Sequence, residues 1–177
     1  MTTTTSALPP GTEAQKAEIL NAPRTTEAHR VLMETLPAMS MLQVGGPGGD
    51  APLPAGFTVA AWNLERCIDP EASAALLKAQ GVSVVLLSEM DNGMARTAQR
   101  DTTAAMAEAL GMHYAFGVEF FEMGLGGETE RPFCTDDFNR LGWHGNAVLS
   151  SAPLRALKLI RLDDHGHWFI GGSDSDP

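Results

Sequence analysis

Two polar residues directly follow two short apolar runs of the sequence, and they are the first candidates for chemistry. Asn63 comes after Trp62, and Glu89 comes after Ser88. If the two runs are neighbouring parallel strands, both side chains reach the same carboxyl edge, where open α/β sheets bind their ligands. An amide oxygen beside a carboxylate suits Mg²⁺ or Mn²⁺. On spacing alone, the alternative is that Asn63 caps a loop and Glu89 is solvated.

The surrounding sequence predicts the elements that would position this pair. The apolar run at 57–62 is typical of a strand, and the run at 82–88 is almost wholly apolar, as in a strand buried on both faces. Between them, the Asp-Pro-Glu sequence at 69–71 favours a helix start, and Gly81 favours its end. A strand, a helix and a strand within about thirty residues predict a right-handed parallel crossover.

Further elements are predicted on both sides of this unit. After it we expect a helix, a strand, a long polar loop and two short strands, at 102–110, 114–121, 122–142, 146–150 and 157–162 respectively. Before it, a capping box of Thr12 with Gln15 and a helical pattern that stops at Pro37 predict two short helices. A Gly/Pro-rich linker follows, so we divide the chain into an extension at 1–55 and a domain at 56–177. We expect little function in the extension beyond a clip over the domain surface.

Composition limits the classes of function. Of the 177 residues, 44% are hydrophobic and 19% charged, which is enough for the core of one domain. Twelve Lys and Arg against 22 Asp and Glu give a net charge of −10, which excludes a polybasic nucleic-acid coat or membrane-surface protein. The sequence has no apolar run of about 18 residues and no signal-peptide pattern. Two cysteines cannot build a disulfide framework, so we expect a cytoplasmic protein.

Three blocks of sequence occur in a characteristic order: Trp-Asn-Leu-Glu at 62–65, Leu-Leu-Ser-Glu-Met-Asp at 86–91 and Gly-Asn-Ala-Val-Leu-Ser at 145–150. Together they resemble the endonuclease/exonuclease/phosphatase superfamily, which has the DNase I-like fold. The resemblance implies that Asn63 helps to bind metal and phosphate and that Glu89 coordinates Mg²⁺ or Mn²⁺. It implies a metal-assisted hydrolysis of phosphodiesters or phosphomonoesters. For the fold, it implies an α/β (α+β) protein, the N-terminal half of a four-layer α/β/β/α sandwich with a mixed sheet flanked by helices.

The sequence departs from the family pattern after the third block. The family has an Asp-x-Asn pair and a Ser-Asp-His motif there, which hold the general base. The Asp-Phe-Asn at 137–139 precedes the third block, and Asp164-His165 follows it too soon. We therefore expect a truncated domain without its general base, with poor or no turnover. The sheet face meant for the missing half would be bare and apolar, favouring self-association or a partner chain.

Weaker candidates surround the pair. His144 is a candidate catalytic residue, although a structural role is the commoner one for a histidine at a loop–strand boundary. Asp91 either orients the metal-binding glutamate or is a solvated turn residue. Arg96 and Arg100 either hold a substrate phosphate or are solvated charges paired with Asp101 and Glu108 on a helix face. Glu119 either supports the site or is a strand-edge carboxylate.

Two functions of different classes remain open. The first is a metal-dependent phosphoester hydrolase, whose substrate is a nucleic acid, a lipid head group or a small phosphoester. The second is a non-catalytic half-domain that acts as an interaction module and docks a partner chain through its bare face. A partner that co-purifies in a fixed ratio would separate the two.

Overall fold

The computed structural model describes residues 2–162 of the chain. Within them, six strands form one mixed sheet and four α-helices accompany it. The strands are β1 (Thr3–Thr5), β2 (Met41–Gly45), β3 (Val59–Arg66), β4 (Val84–Asn92), β5 (His113–Phe121) and β6 (Trp143–Ser150), and the helices are α1 (Glu13–Asn21), α2 (Thr26–Thr35), α3 (Pro70–Ala79) and α4 (Thr102–Leu110). Single 3₁₀ turns lie at Pro37–Ser40, Ala95–Thr97 and Arg131–Phe133.

The strand order across the sheet is β1-β2-β5-β6-β4-β3. β3 and β4 are parallel and form one edge, and β1 and β2 are parallel and form the other. The three pairings between these edges are antiparallel. The predicted parallel pair is therefore confirmed, and the carboxyl ends of β3 and β4 lie side by side.

Local sequence signals explain where the helices begin and end. The side chain of Asp69 accepts a hydrogen bond from the backbone N–H of Ala72, and so caps α3. Thr12 and Gln15 form the predicted capping box of α1. Gly111 ends α4 in the left-handed conformation, at φ 68°. N-terminal caps of this kind each stabilise a helix by about 1 kcal/mol.

All four helices contribute side chains to one apolar core on one face of the sheet. In β4, Val85 and Leu87 point to this face and are almost fully buried. The strand and helix residues of the core include Val85, Leu87, Phe116, Leu149, Ile19, Leu32, Leu77 and Met106. The covered part of the molecule is thus a helical layer packed on a sheet.

The opposite face of the sheet is only partly covered. Ala61, Leu86 and Val148 lie side by side on it, and 47% of Leu86 is exposed. Towards β5, the face is covered by Leu159, which lies so close to Gly117 that a Cβ there would come within 2.9 Å of Leu159 Cδ1. The bare apolar area is therefore confined to the β3–β4 side.

The strand expected at 157–162 is not formed. This segment runs across the sheet face without joining a ladder. Arg161 fastens it by donating to the backbone carbonyls of Met39, at 2.5 Å, and Val118, at 2.8 Å. In this segment every second residue packs against the sheet face. An extended segment that packs in this way has the same apolar alternation as a strand, although it joins no ladder.

The interpretation of 1–55 as an extension missed the strands β1 and β2. β2 pairs with β5, which makes this segment part of the main sheet. The side chain of Gln43 in β2 faces the helices and donates to Asp101 at 2.6 Å and to the Tyr114 hydroxyl at 2.9 Å. A polar residue on the covered face removes the apolar alternation that would have marked the strand. No helix between residues 2 and 162 is long and apolar enough to cross a membrane.

Candidate functional site

The structure brings Asn63 and Glu89 together, as the sequence predicts. Asn63 Nδ2 donates to Glu89 Oε1 at 2.6 Å. Asn63 Oδ1 accepts from the backbone N–H of Glu65 at 3.0 Å, so the amide also caps the turn after it. The side chain of Glu89 is 33% exposed. The two residues therefore form a partly open pair at the carboxyl ends of β3 and β4.

Both strands are distorted where they carry these residues. The register shifts after Asn63 in β3, and a second shift brackets Glu89 in β4. Glu65, Arg66 and Cys67 have φ angles of 45°, 77° and 54°, and Glu89 has 60°. For residues with a side chain this conformation costs on the order of 1 kcal/mol or more each, and bulges of this kind redirect side chains next to sites. Strain is therefore concentrated at the candidate pair.

Arg66 connects Glu89 to the long loop between β5 and β6. Its Nη1 donates to Glu89 Oε2 at 2.5 Å, and its Nε donates to Glu130 Oε1 at 2.6 Å. Burial acts to raise the pKa of Glu130, but the hydrogen bonds from Arg66 and from the Gly127 backbone outweigh it and hold that pKa below its usual value. Glu130 is therefore a stable anion that ties the loop to β3.

Arg96 is the centre of a buried cluster of carboxylates. Its Nε and Nη2 bind the two oxygens of Asp91 at 2.7 and 2.9 Å. Its Nη2 and Nη1 bind the two oxygens of Glu122 at 2.7 and 2.9 Å, and Nη1 also binds Glu130 at 3.0 Å. Burial raises the pKa of Glu122 to about 7, although Arg96 opposes that shift. The side chain of Arg96 is 2% exposed, so its interpretation as a solvated charge is wrong. Its guanidinium group is occupied by three carboxylates, which does not favour the other prediction, a contact with a substrate phosphate.

Asp91 also holds His144. The distance from His144 Nδ1 to Asp91 Oδ1 is 2.8 Å, and the rings of His144 and Phe120 stack with centroids 4.6 Å apart. A carboxylate already paired with a guanidinium can only accept, which assigns the proton to Nδ1. Asp91 is fully buried and His144 is 1% exposed, so the reading of Asp91 as a solvated turn residue is wrong. This histidine occupies a structural position under the site.

Asp91 reaches Glu89 only through intermediaries. It binds Arg96, which binds Glu130, which binds Arg66. Arg66 then binds Glu89, so the buried cluster and the open pair form one continuous network. Asp91 is therefore connected to Glu89 through two guanidinium groups and one carboxylate, without a direct contact.

The remaining sequence candidates lie elsewhere. Arg100 forms an exposed ion pair with Glu71 rather than with the helix-face partners expected for it. Asp101 instead caps α4 and accepts from Gln43. Glu119 accepts from Asn146 at 3.1 Å on the neighbouring strand, as a strand-edge carboxylate does.

The two motif-like sequences also lie outside the site. Asn139 donates to the backbone carbonyls of Glu122 and Gly124, at 3.1 and 2.6 Å, and accepts from the Ala95 N–H at 2.8 Å. It therefore fixes the loop, and Asp137 beside it is exposed. Asp164-His165 lies outside the described residues.

Sequence reasoning missed three members of the network: Arg66, Glu122 and Glu130. Arg66 directly follows the first sequence block, and a cation next to a candidate phosphate site was a usable signal. Glu122 directly follows β5, as a polar residue at the end of a buried strand. Glu130 lies inside a polar loop, where nothing in the sequence distinguishes it from its neighbours.

The donor types suit a hard divalent cation, but the pair is already engaged. The Glu89 carboxylate and the Asn63 amide are oxygen ligands of the kind that Mg²⁺ prefers. Both oxygens of Glu89 are bound, one by Asn63 and one by Arg66. Within residues 2–162, no group of three or more His, Cys, Asp and Glu side chains is arranged to hold a metal. The positive charge of Arg66 therefore opposes the binding of a cation at Glu89.

Comparisons of this chain with protein-family models, with curated proteins and with solved structures found no match. The functional proposal therefore depends on the geometry of the site and on the three sequence blocks.

Proposed function

We propose that this chain is a metal-dependent phosphoester hydrolase of the endonuclease/exonuclease/phosphatase superfamily, in which Asn63 and Glu89 bind Mg²⁺ or Mn²⁺. The observation that carries the proposal is the 2.6 Å contact between these two side chains at the carboxyl ends of two parallel strands. The strained, bulged backbone on both strands supports it, because such distortion is typical of functional sites. When bound, the cation would neutralise charge on the phosphoryl oxygens.

The residues of this chain would have separate tasks in that reaction. Glu89 and Asn63 would hold the cation, and Arg66 would add positive charge beside it. The buried cluster around Arg96 would keep Glu130 and the loop in place. We expect slow turnover, because the family's general-base motifs are missing and His144, the candidate catalytic residue, is buried and bound to Asp91.

The proposal extends to the fold. We propose that the sheet is one half of a four-layer sandwich. The support is the apolar surface on the face opposite the helices, where Val59 and Leu86 are about half exposed, at 50% and 47%. A face of this kind is normally covered by another layer.

Metal binding to the protein and to Glu89→Gln tests the proposal. We expect the wild-type chain to bind Mn²⁺, followed by the loss of the free-ion signal in electron paramagnetic resonance. Loss of the one charged ligand should weaken binding at least about tenfold. Glu119→Gln is the matched control, since that carboxylate is exposed and binds Asn146 instead. Equal Mn²⁺ affinity in Glu89→Gln and wild type would contradict the proposed metal site.

Hydrolysis is measured separately with a chromogenic phosphodiester. We expect slow, Mn²⁺-dependent release of product that Glu89→Gln abolishes. Fast turnover would show that a general base is at work and would contradict our view of His144. Release that persists in Glu89→Gln would assign the activity to another site.

The bare apolar face favours a second candidate function, an interaction module. Leu86 lies on this face beside the edge strand β3, whose outer side pairs with no strand within residues 2–162. An apolar surface next to an open strand edge favours association. On this view Leu86→Lys reduces self-association in sedimentation experiments. Leu76→Lys is the control, because Leu76 is 62% exposed on α3, in the helical layer. A monomer that melts sharply and reversibly in the wild type would count against this candidate.

A further inference from the structure

Arg66 is held at the rim of the site with part of its guanidinium group unused. Its Nε and Nη1 bind Glu130 and Glu89, but its Nη2 makes no hydrogen bond to any residue between 2 and 162. The side chain is 25% exposed. Both N–H donors of Nη2 therefore remain without a partner among the described residues.

We propose that Arg66 binds a phosphoryl oxygen of the substrate and that, before substrate arrives, it competes with the metal for Glu89. The inference rests on the proposed metal site at Asn63 and Glu89. It makes Arg66 a residue that links the binding of the cation to the binding of the anion.

Charge explains the competition. Arg66 neutralises Glu89 through a 2.5 Å contact with Oε2, so its positive charge opposes the binding of a metal cation to the same carboxylate. Arg66 keeps a second anchor on Glu130, at 2.6 Å, and so stays beside the site when Glu89 is taken. The guanidinium group of Arg66 is thus held beside the site by Glu130, whether or not it also binds Glu89.

The shape of the guanidinium group explains why bound metal should raise the affinity for phosphate. A guanidinium group presents its N–H donors in a planar fork that matches two oxygens of a phosphate. Once the cation occupies Glu89, Nη1 joins Nη2 as an available donor, and a phosphate can contact the metal and Arg66 together. Metal and phosphate should therefore each raise the affinity of the protein for the other.

The alternative is that Arg66 only fastens the loop through Glu130. On that view, its removal loosens the loop and weakens both ligands. Our proposal predicts opposite signs for the two ligands, and general misfolding cannot produce that result.

The experiment measures Mn²⁺ and inorganic phosphate binding to wild type, Arg66→Met and Arg100→Met. In Arg66→Met we expect Mn²⁺ to bind about tenfold more tightly, and phosphate at saturating Mn²⁺ to bind about tenfold more weakly. Arg100→Met is the matched control, because Arg100 pairs with Glu71, away from Glu89. It should leave both affinities unchanged.

The other possible results would contradict either this inference or the proposed function. If Arg66→Met binds Mn²⁺ no more tightly than wild type, or phosphate no more weakly, the inference is wrong and the metal site stands. If wild type binds no Mn²⁺, the proposed function is wrong and the inference fails with it. If Arg66→Met does not fold, Arg66→Gln replaces it, since glutamine keeps a polar side chain but removes the positive charge and the planar fork of N–H donors. Wild-type phosphate affinity in Arg66→Gln would overturn the inference.

Discussion

Replacing Arg96 with methionine should strongly destabilise the fold, and the size of the effect follows from what surrounds this side chain. Asp91 is fully buried and Glu122 is 2% exposed on its side chain, and Arg96 binds both oxygens of each. Methionine fills similar space without charge, so two carboxylates lose their cation inside the protein. Breaking a buried ion pair from one side costs about 3–5 kcal/mol. Since domains are stable by only about 5–15 kcal/mol, the free energy of unfolding should fall by a large fraction.

The loss should depend on pH in a definite direction. In Arg96→Met, the Glu122 carboxylate loses the guanidinium group that opposes the effect of burial, so its pKa, already about 7, rises further above that of the unfolded chain. The folded variant then holds this proton more tightly than the unfolded chain, so its stability falls as pH rises through the raised pKa of Glu122. The deficit against wild type should be larger at pH 8 than at pH 5.

Urea unfolding followed by circular dichroism measures the change. Arg100→Met is the control, because its exposed pair with Glu71 should contribute less than about 1 kcal/mol. Adding Glu122→Gln to Arg96→Met should recover part of the loss, since one buried charge disappears. A loss below about 1 kcal/mol in Arg96→Met, or an equal loss at pH 5 and pH 8, would refute the reasoning.

Three further changes are expected. The pKa of Glu122, raised by burial from 4.5 to about 7, makes the folded state bind its proton more tightly, so wild type should lose stability relative to Glu122→Gln as pH rises from 4.5 to 7. Cys67 is 1% exposed and burial raises its pKa to about 12, so a thiol reagent at pH 8 should label Cys134 first. Asp69→Ala removes the cap of α3 and should lower the free energy of unfolding by about 1 kcal/mol.

Each of these three predictions would be contradicted by a different result. A stability difference between wild type and Glu122→Gln that stays constant from pH 4.5 to 7 would contradict the raised pKa. Equal labelling rates for Cys67 and Cys134 in native buffer would contradict the burial of Cys67, and urea should make the rates converge. Asp50→Ala is the control for the cap, because Asp50 is exposed outside any helix or strand.

The unit that carries Asn63 and Glu89 could be predicted because its signals are local. The N-cap at Asp69, the glycine at 81 and two apolar runs lie within one stretch of chain, and each acts on its immediate neighbours. A strand, a helix and a strand in this order then favour a parallel strand pair with a right-handed connection. The structure confirms this unit and the proximity of the two residues.

The network behind that pair could not be predicted, because its contacts join residues far apart in the chain. Glu130 lies 64 residues from Arg66 and 34 from Arg96, and nothing in a polar loop marks one glutamate as a future ion-pair partner. The strand β2 was missed for a related reason. Its buried Gln43 is satisfied by Asp101, whose position depends on the complete fold.

The place of β6 in the sheet has a consequence for how the chain assembles. β6 lies between β5 and β4, although it is the last of the described strands in sequence. Before it is available, the strands can form only two ribbons, β1-β2-β5 and β4-β3, and each has an open edge where β6 belongs. During synthesis at about 5–20 residues per second, this interval lasts for the time needed to add residues 122–150. In that interval, the open edge of β4 is where a second nascent chain can insert its own strand.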